Sequence, residues 1–422
     1  MPTAPLPFRS SVVICSICEL VALGATDGRT VEDDADVTGN AAAPRMGKAV
    51  TVIRPERSPP PCGRRSLSRT HGAGTSRAMT GSEVAADRLP IAVSVMPLGT
   101  GREAILYLSQ KADALGYEAL FLPETWSYDV MVLLAEVAVR TKHIGLGTGL
   151  VGPWGRSAAT IAMASATLHE ISGGRFILGL GASTAQLAEG LHDTPYVDPT
   201  ATLRRVIQQV RALLAGERIP LSIDTTTRPL RLDLRVRPDA PIYLGALASA
   251  SVRLAGELCD GWMPFLIPRD RLGEGISRVR EGAVGSTPPR RTPRICPLIP
   301  AVVAEDSAAA REGAAWFLAF YLIMMGTVYR KGLSRQGFAK EVEAILEANR
   351  GRSPSAVPAE ADGLLRQVTV FGTATEVREQ LARWYDAGAD LPVLMLRPNP
   401  AREDIDRTLE AFQGLREHPL RC

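Results

Sequence analysis

The chain has 422 residues, 45% of them hydrophobic, and a formal charge of +3 from 48 Lys plus Arg against 45 Asp plus Glu. With no basic stripe there is no footing for nucleic acid, and the longest apolar run, Trp316 to Met325, is about half of what a membrane span needs. Six cysteines, at 15, 18, 62, 259, 296 and 422, are too scattered for a disulfide framework, so the expectation is a soluble cytoplasmic protein with a large core.

Residues 1–88 mix Pro, Arg, Ser and Gly with an acidic patch at Glu32–Asp36 and show no helical or strand period. Such a composition buries too little apolar surface to offset ordering, which predicts a mostly disordered extension, either an over-extended start or a functional arm. Val12–Leu23 has the look of a signal-peptide core, but Glu19 interrupts it. Cys15 and Cys18 form a C-x-x-C with no second pair or histidine at zinc spacing, so no metal site is expected.

From Leu89 onward, strand-like and helix-like segments alternate, which predicts a parallel sheet covered by helices. The first strand is Pro90–Met96, and the helix after it carries Ile105, Leu108, Ala112 and Leu115 on one face and stops at Gly116. The second, Glu118–Leu122, delivers Pro123, Glu124, Thr125 and Trp126 to its carboxyl end, with Asp129 placed to cap a helix through Leu133, Leu134 and Val137.

Strands three and four belong to one βαβ unit, His143 to Thr184. Gly147, Gly149 and Gly152 satisfy G-x-G-x-x-G, the dinucleotide fingerprint. In that motif the helix already runs across the third glycine, yet Pro153 and Gly155 stand there, and an interior proline costs about 3 kcal/mol. No acidic residue ends the following strand, where a ribose partner belongs. The helix is expected to start later, from an N-cap at Ser157, with Ile161, Ala164, Leu168 and Ile171 toward the sheet.

Asp198 and Pro199 announce a helix through Leu203, Ile207, Val210 and Leu214, and Ile219 to Asp239 reads as a polar, β-prone insertion. Ile242–Leu247 is a fifth strand, with Ser249 or Ser251 capping the next helix. Asp260–Phe265 is a sixth, followed by a helix from about Arg269 to Gly282, and Ile295–Ala304 is a proline-punctuated seventh. A helical region from Ser307 runs into a second insertion, about 325–367. Thr373 and Glu376 form a capping box, Pro392–Leu396 is the eighth strand, and Asn399–Pro400 starts the last helix. This is the count of an α/β protein with a (β/α)8 TIM barrel and insertions after strands 4 and 7.

Active sites of that barrel lie at the carboxyl ends of its strands, which brings together Met96, Glu124, Thr125, Trp126, Thr184 and Phe265 with several small residues. Glycine and alanine there suit close approach of backbone to a flat or phosphorylated ligand. No P-loop, G-x-S-x-G elbow or metal-spaced cluster is present. Of five histidines, at 71, 143, 169, 192 and 418, only His192 is placed to reach the mouth, so a cofactor is expected to carry the reaction.

The order Pro123-Glu124-Thr125-Trp126, then Gly147-Thr148-Gly149-Leu150, then Ser172-Gly173-Gly174-Arg175-Phe176-Ile177-Leu178-Gly179-Leu180-Gly181, then Asp260-Gly261-Trp262 resembles the bacterial luciferase-like flavin monooxygenase superfamily. The resemblance covers about residues 89–416 and is closest to the deazaflavin (coenzyme F-420) dependent oxidoreductase branch. It implies a cofactor site of Thr125, Thr148, Gly149, Leu150, Gly181, Ala182, Ser183, Gly245, Ala246 and Leu247. Within it, Gly149–Leu150 would be a non-prolyl cis peptide behind the tricyclic ring, with Ser183, Gly245, Ala246 and Leu247 along the ribityl and phosphate portion. Glu124 takes the catalytic role, moving the proton that accompanies hydride if an apolar mouth raises its pKa. Thr125 stands where sugar-phosphate dehydrogenase relatives carry a catalytic histidine, and Ala182 where they carry a glutamate, which argues against glucose 6-phosphate as substrate.

Three functions follow from the resemblance. The first is hydride transfer between coenzyme F-420 and a small organic substrate. The second is an FMN-dependent monooxygenase using reduced flavin and oxygen, and the third a non-catalytic flavin-binding barrel. Relatives are commonly dimers, which makes a homodimer the candidate assembly while the sequence leaves the oligomeric state open.

Overall fold

The computed structural model describes residues 89–234 and 238–415. The expected disordered extension, with its C-x-x-C, lies outside the described residues.

Among the described residues ten parallel strands follow one another along the chain: β1 (Ala92–Val95), β2 (Ala119–Leu122), β3 (Gly145–Thr148), β4 (Phe176–Gly181), β5 (Ile242–Gly245), β6 (Gly261–Trp262), β7 (Arg294–Ile295), β8 (Leu298–Val303), β9 (Val370–Gly372) and β10 (Val393–Leu396). Their order is β7-β6-β5-β4-β3-β2-β1-β10-β8-β9. β7 and β8 are two pieces of one stave, interrupted at Cys296 and Pro297, and this closes the sheet. On one side Cys296 N donates to Trp262 O (2.8 Å) and Leu298 N to Pro264 O (2.8 Å); on the other Val393 N donates to Pro297 O (2.9 Å). Pro297 has no N–H to give, so the break falls where the sequence cannot supply a ladder donor. The result is a closed (β/α)8 cylinder of the expected TIM-barrel kind.

Alternation along each strand sorts the core into two sets. Val93, Val95, Leu120, Leu122, Leu146, Leu178, Leu180 and Leu244 pack outward against the helices. Ala92, Ala119, Phe121, Tyr243, Met263, Cys296, Val393 and Met395 fill the cylinder, and that cluster continues up into Phe317, Leu318, Tyr321 and Leu322 of the helix Ser307–Met324. Phe121 of β2 and Tyr243 of β5 stack across the interior with ring centroids 6.2 Å apart. Gly147 exists for the same reason, since a Cβ there would overlap the Phe121 ring.

Most helix starts follow the local chemistry. Ser157 Oγ accepts from Thr160 N (3.1 Å), so the helix Ala158–Ile171 begins past Pro153 and Gly155, and the dinucleotide reading falls with it. Asp129 caps Val130–Arg140, Asp198 and Pro199 open Pro199–Leu214, and Thr373 with Glu376 makes the capping box of Ala374–Asp386.

Three local expectations are corrected. The helix after β5, Ser249–Leu258, starts from Ala248 with no side-chain cap, because Ser251 Oγ donates to Ala248 O instead (2.9 Å). The last helix, Arg402–Ala411, starts from Ala401, Asn399 being held at φ 51° outside it. Residues 219–234 form no strand; Ile219 N donates to Leu230 O and the segment is mostly exposed. The second insertion is largely helical, including Val328–Leu333, Ala339–Ala348 and Asp362–Val368, and ends in the unforeseen β9, which pairs Val370 with Ala301 outside the barrel. Among the described residues no single helix is long and apolar enough to cross a membrane.

Candidate active site

At the carboxyl mouth of the barrel β3 does not simply stop. Gly149 N donates to Leu122 O (2.7 Å), Glu124 N to Leu150 O (3.0 Å), Val151 N to Gly179 O (3.0 Å) and Gly181 N to Val151 O (3.0 Å). The ladder therefore resumes at Val151 after a bulge at Gly149–Leu150. Thr148 Oγ1 fills the gap, donating to Gly179 O (2.7 Å) and accepting from Gly179 N (2.8 Å).

Two expectations change here. The Gly149–Leu150 peptide is trans, the cis bond among the described residues being Thr287–Pro288. A trans bond meets every ladder partner around the bulge, and a non-prolyl cis bond costs about 3–4 kcal/mol. Thr148, fully buried and spent on Gly179, belongs to the support of the bulge and does not face the mouth.

The other predicted residues do converge. A cavity of about 370 Å³ is lined by Glu124, Thr125, Gly149, Leu150, Gly181, Ala182, Ser183, Gly245, Ala246 and Leu247, together with Met96, Thr184, His192 and Phe265. That volume is within the range of small-molecule sites. Trp126 is 39% exposed and lies off the cavity. The glycines have a different neighbour from the one inferred: a Cβ at Gly181 or Gly245 would strike the Leu150 side chain. Leu150 thus leans across the ends of β4 and β5 and forms one wall.

The polar side of the mouth is organised by Arg156. Its Nη2 meets Glu124 Oε1 at 2.6 Å and Asp129 Oδ2 at 2.9 Å, and its Nε donates to the same Glu124 oxygen at 3.2 Å. Burial works to lower the Arg156 pKa, but the two carboxylates outweigh it and the net shift is upward. At Asp129 burial works upward, and the Arg156 hydrogen bond together with the Val132 and Met131 amides carries the group below the ordinary aspartate range. The neighbour of Glu124 is therefore a guanidinium, where an apolar surround had been expected. The guanidinium fixes the orientation of this carboxylate through Oε1.

Thr125 Oγ1 is buried and has no hydrogen-bond partner, although the residue lines the cavity. Ser183 sits at φ 57°, a conformation uncommon for a residue with a side chain. It is flanked by a strap in which Tyr196 OH donates to Ser183 O (3.2 Å), Trp154 Nε1 donates to Ala182 O (2.7 Å), and the Trp154 and Tyr196 rings lie 5.0 Å apart. His192 covers Gly155, where a Cβ would overlap its ring.

Tyr321 from the helix Ser307–Met324, and Met325, Val328 and Tyr329 from the late insertion, also line the cavity and were missed in the sequence. The signal for them is weak, because aromatic and apolar residues in a helical run read as core. Among the described residues, no group of three His, Cys, Asp or Glu side chains could hold a metal ion.

A closed parallel barrel, with a bulged third stave and a strapped cavity at its carboxyl mouth, defines a (β/α)8 enzyme whose site is built mainly from backbone and small residues. The chain belongs to the luciferase-like monooxygenase family, whose model matches residues 88–391. It is 34% identical over 315 residues to a Mycobacterium tuberculosis protein assigned by name as a coenzyme F-420-dependent oxidoreductase, an alignment that spans 67% of this chain and 88% of that one. A 5,10-methylenetetrahydromethanopterin reductase of Methanolobus tindarius is 26% identical over 67% of this chain and 87% of its own length. Among solved structures, the coenzyme F-420-dependent tetrahydromethanopterin reductase of Methanopyrus kandleri superposes with a TM-score of 0.65 at 22% identity, covering 77% of this chain and 98% of that one.

Proposed function

We propose that the protein is a coenzyme F-420-dependent oxidoreductase that transfers a hydride between the deazaflavin and a small organic substrate. The observation that carries this reading is the convergence, on one cavity, of the Gly149–Leu150 bulge, the orphaned Thr125 hydroxyl and the uncapped start of the helix Ser249–Leu258. The name of the Mycobacterium tuberculosis relative supports it.

The residues present fit such a cofactor. Leu150 offers an apolar wall for a planar ring, and the Thr125 hydroxyl is a free donor for a polar ring atom. The amides after Ala248 lack a side-chain cap and would serve a phosphate. When bound, the deazaflavin supplies hydride in a two-electron step, having carbon where flavin has the nitrogen that takes hydride. The chain's own part is to hold substrate and ring at reacting distance and exclude water. Glu124 Oε1 is held by Arg156, while Oε2 carries no protein hydrogen bond among the described residues and is free to accept from a substrate hydroxyl.

Visible-absorbance titration with oxidised F-420 and with FMN tests the assignment. The expected result is saturable F-420 binding with FMN weaker by at least about tenfold. Tight FMN binding without F-420 binding would transfer the protein to the flavin monooxygenase reading. F-420 binding without turnover of any ketone, alcohol or enone would leave a non-catalytic barrel.

We also propose a homodimer through the helices Val130–Arg140 and Ala158–Ile171. Val132 (70% exposed) and Val139 (70%), seven residues apart, share one apolar stripe of the first, and Met163 (49%) is exposed on the second.

A further inference from the structure

The cavity has two unlike ends. Toward β2–β5 it is polar and glycine-bearing; toward β1, β6, β8 and β10 it is walled by Met96, Met263 and Met395, with Met325 from the insertion. Four of the chain's ten methionines thus line one small space. Methionine is unbranched and polarisable, and it adapts to varied apolar shapes.

Above them three rings form a cage. Phe265 meets Tyr321 edge-on at 4.5 Å and Tyr329 at 5.6 Å, and the two tyrosines cross at 5.5 Å. The turn that presents Phe265 is strained, Leu266 being held at φ 52°, a conformation that persists only when its surroundings fix it. Tyr321 OH has only Met395 Sδ, at 4.0 Å, and the Tyr329 hydroxyl makes no hydrogen bond among the described residues. Burial pushes both phenols upward, so they stay neutral.

Charge is nearly absent from the lining. Among the described lining residues Glu124 is the sole carboxylate, already paired with Arg156, His192 is the sole titratable base, and no lysine or arginine is present. At the methionine-walled end, away from the amides after Ala248, a phosphate or carboxylate would lose its hydration with no cation to meet it.

We infer that the methionine-walled end takes an uncharged, hydrophobic carbonyl compound, its chain or ring lying among the methionines and its oxygen accepting from the Tyr329 hydroxyl. Calling this ligand the substrate rests on the oxidoreductase reading; its binding does not.

Calorimetric titration of the full chain, with and without oxidised F-420, tests the inference. The probes are 2-pentanone, 2-heptanone and 2-nonanone against pyruvate and glucose 6-phosphate. Affinity is expected to rise about fourfold per added methylene, with neither anion binding once F-420 fills the amides after Ala248. Tyr329→Phe should weaken every ketone by about two- to tenfold and leave the chain-length dependence intact. Met325→Lys, at a partly exposed position, should weaken 2-nonanone by at least about tenfold, whereas Met325→Leu should not. Anions binding as well as ketones to the F-420-loaded chain, no dependence on chain length, or no ketone binding at all would each overturn the inference. An F-420 titration on the same preparation reads separately whether the cofactor assignment holds.

Discussion

Thr125 carries a buried hydroxyl without a partner, and such a group costs about 1–3 kcal/mol until something satisfies it. Thr125→Val is therefore expected to leave thermal stability unchanged or raise it by about 1 kcal/mol, while weakening F-420 binding. Melting curves beside absorbance titrations read both; a loss of stability with unchanged cofactor affinity would give the hydroxyl a structural role instead. Glu124 makes the complementary case. Its side chain is 13% exposed and fixed by Arg156 at 2.6 Å, so Glu124→Gln keeps the shape and loses the anion. A fall in kcat of at least about tenfold is expected at unchanged cofactor affinity, and full turnover by the variant would remove Glu124 from the reaction.

At the scale of elements, the glycines of the mouth separate into two kinds. A Cβ at Gly179 would strike the Thr148 carbonyl, which is backbone and cannot move; one at Gly245 would strike a δ-methyl of Leu150, which can swing into the cavity. Gly179→Ala should lose at least about 3 kcal/mol in chemical denaturation, whereas Gly245→Ala should fold normally and lose about tenfold in F-420 affinity. Equal effects on stability would show that Leu150 is not the movable wall described.

β3 is also tied down from below. The Asp113 carboxylate accepts from the amides of Lys142, His143 and Ile144 at 2.7–2.8 Å. Burial works to raise its pKa, but the three donors outweigh that and hold it lowered. A carboxylate with a depressed folded-state pKa stabilises the fold above the unfolded value of about 3.9 and loses that contribution as pH falls through the folded value. Asp113→Asn should thus cost about 1–3 kcal/mol at neutral pH, and the gap to the wild type should narrow below about pH 4. A gap that stays constant down to pH 2.5 would contradict this.

These elements also show what could be read from the chain beforehand. Ser157, Asp129, Asp198–Pro199 and Thr373–Glu376 announce helices because a cap is a local matter of one side chain and two or three amides. Residues at strand ends fall at the mouth because the topology puts all eight ends there. Partners distant in sequence were not legible. Leu150 across Gly181 and Gly245, Arg156 on Glu124, and β9 against β8 depend on segments 31 to 95 residues apart. Thr148 looked like a site residue for the same reason: nothing local says that its hydroxyl is spent on Gly179.

For the whole molecule, closure is what makes one mouth out of eight strand ends, and it runs through a stave broken at Pro297. The proposed dimer stripe lies on the outside, away from the cavity lining, so assembly and cofactor binding should be separable. Sedimentation is expected to find a dimer, and Val132→Glu with Val139→Glu to give a monomer that still binds F-420. A wild-type monomer at micromolar concentration would refute the dimer. The central claim, that the carboxyl mouth holds a deazaflavin against the β3 bulge, is tested most directly by a crystal structure with oxidised F-420 soaked in. The account predicts electron density for the ring packed on Leu150, with its phosphate at the amides following Ala248. Density for the ring at any other face of the barrel would contradict it.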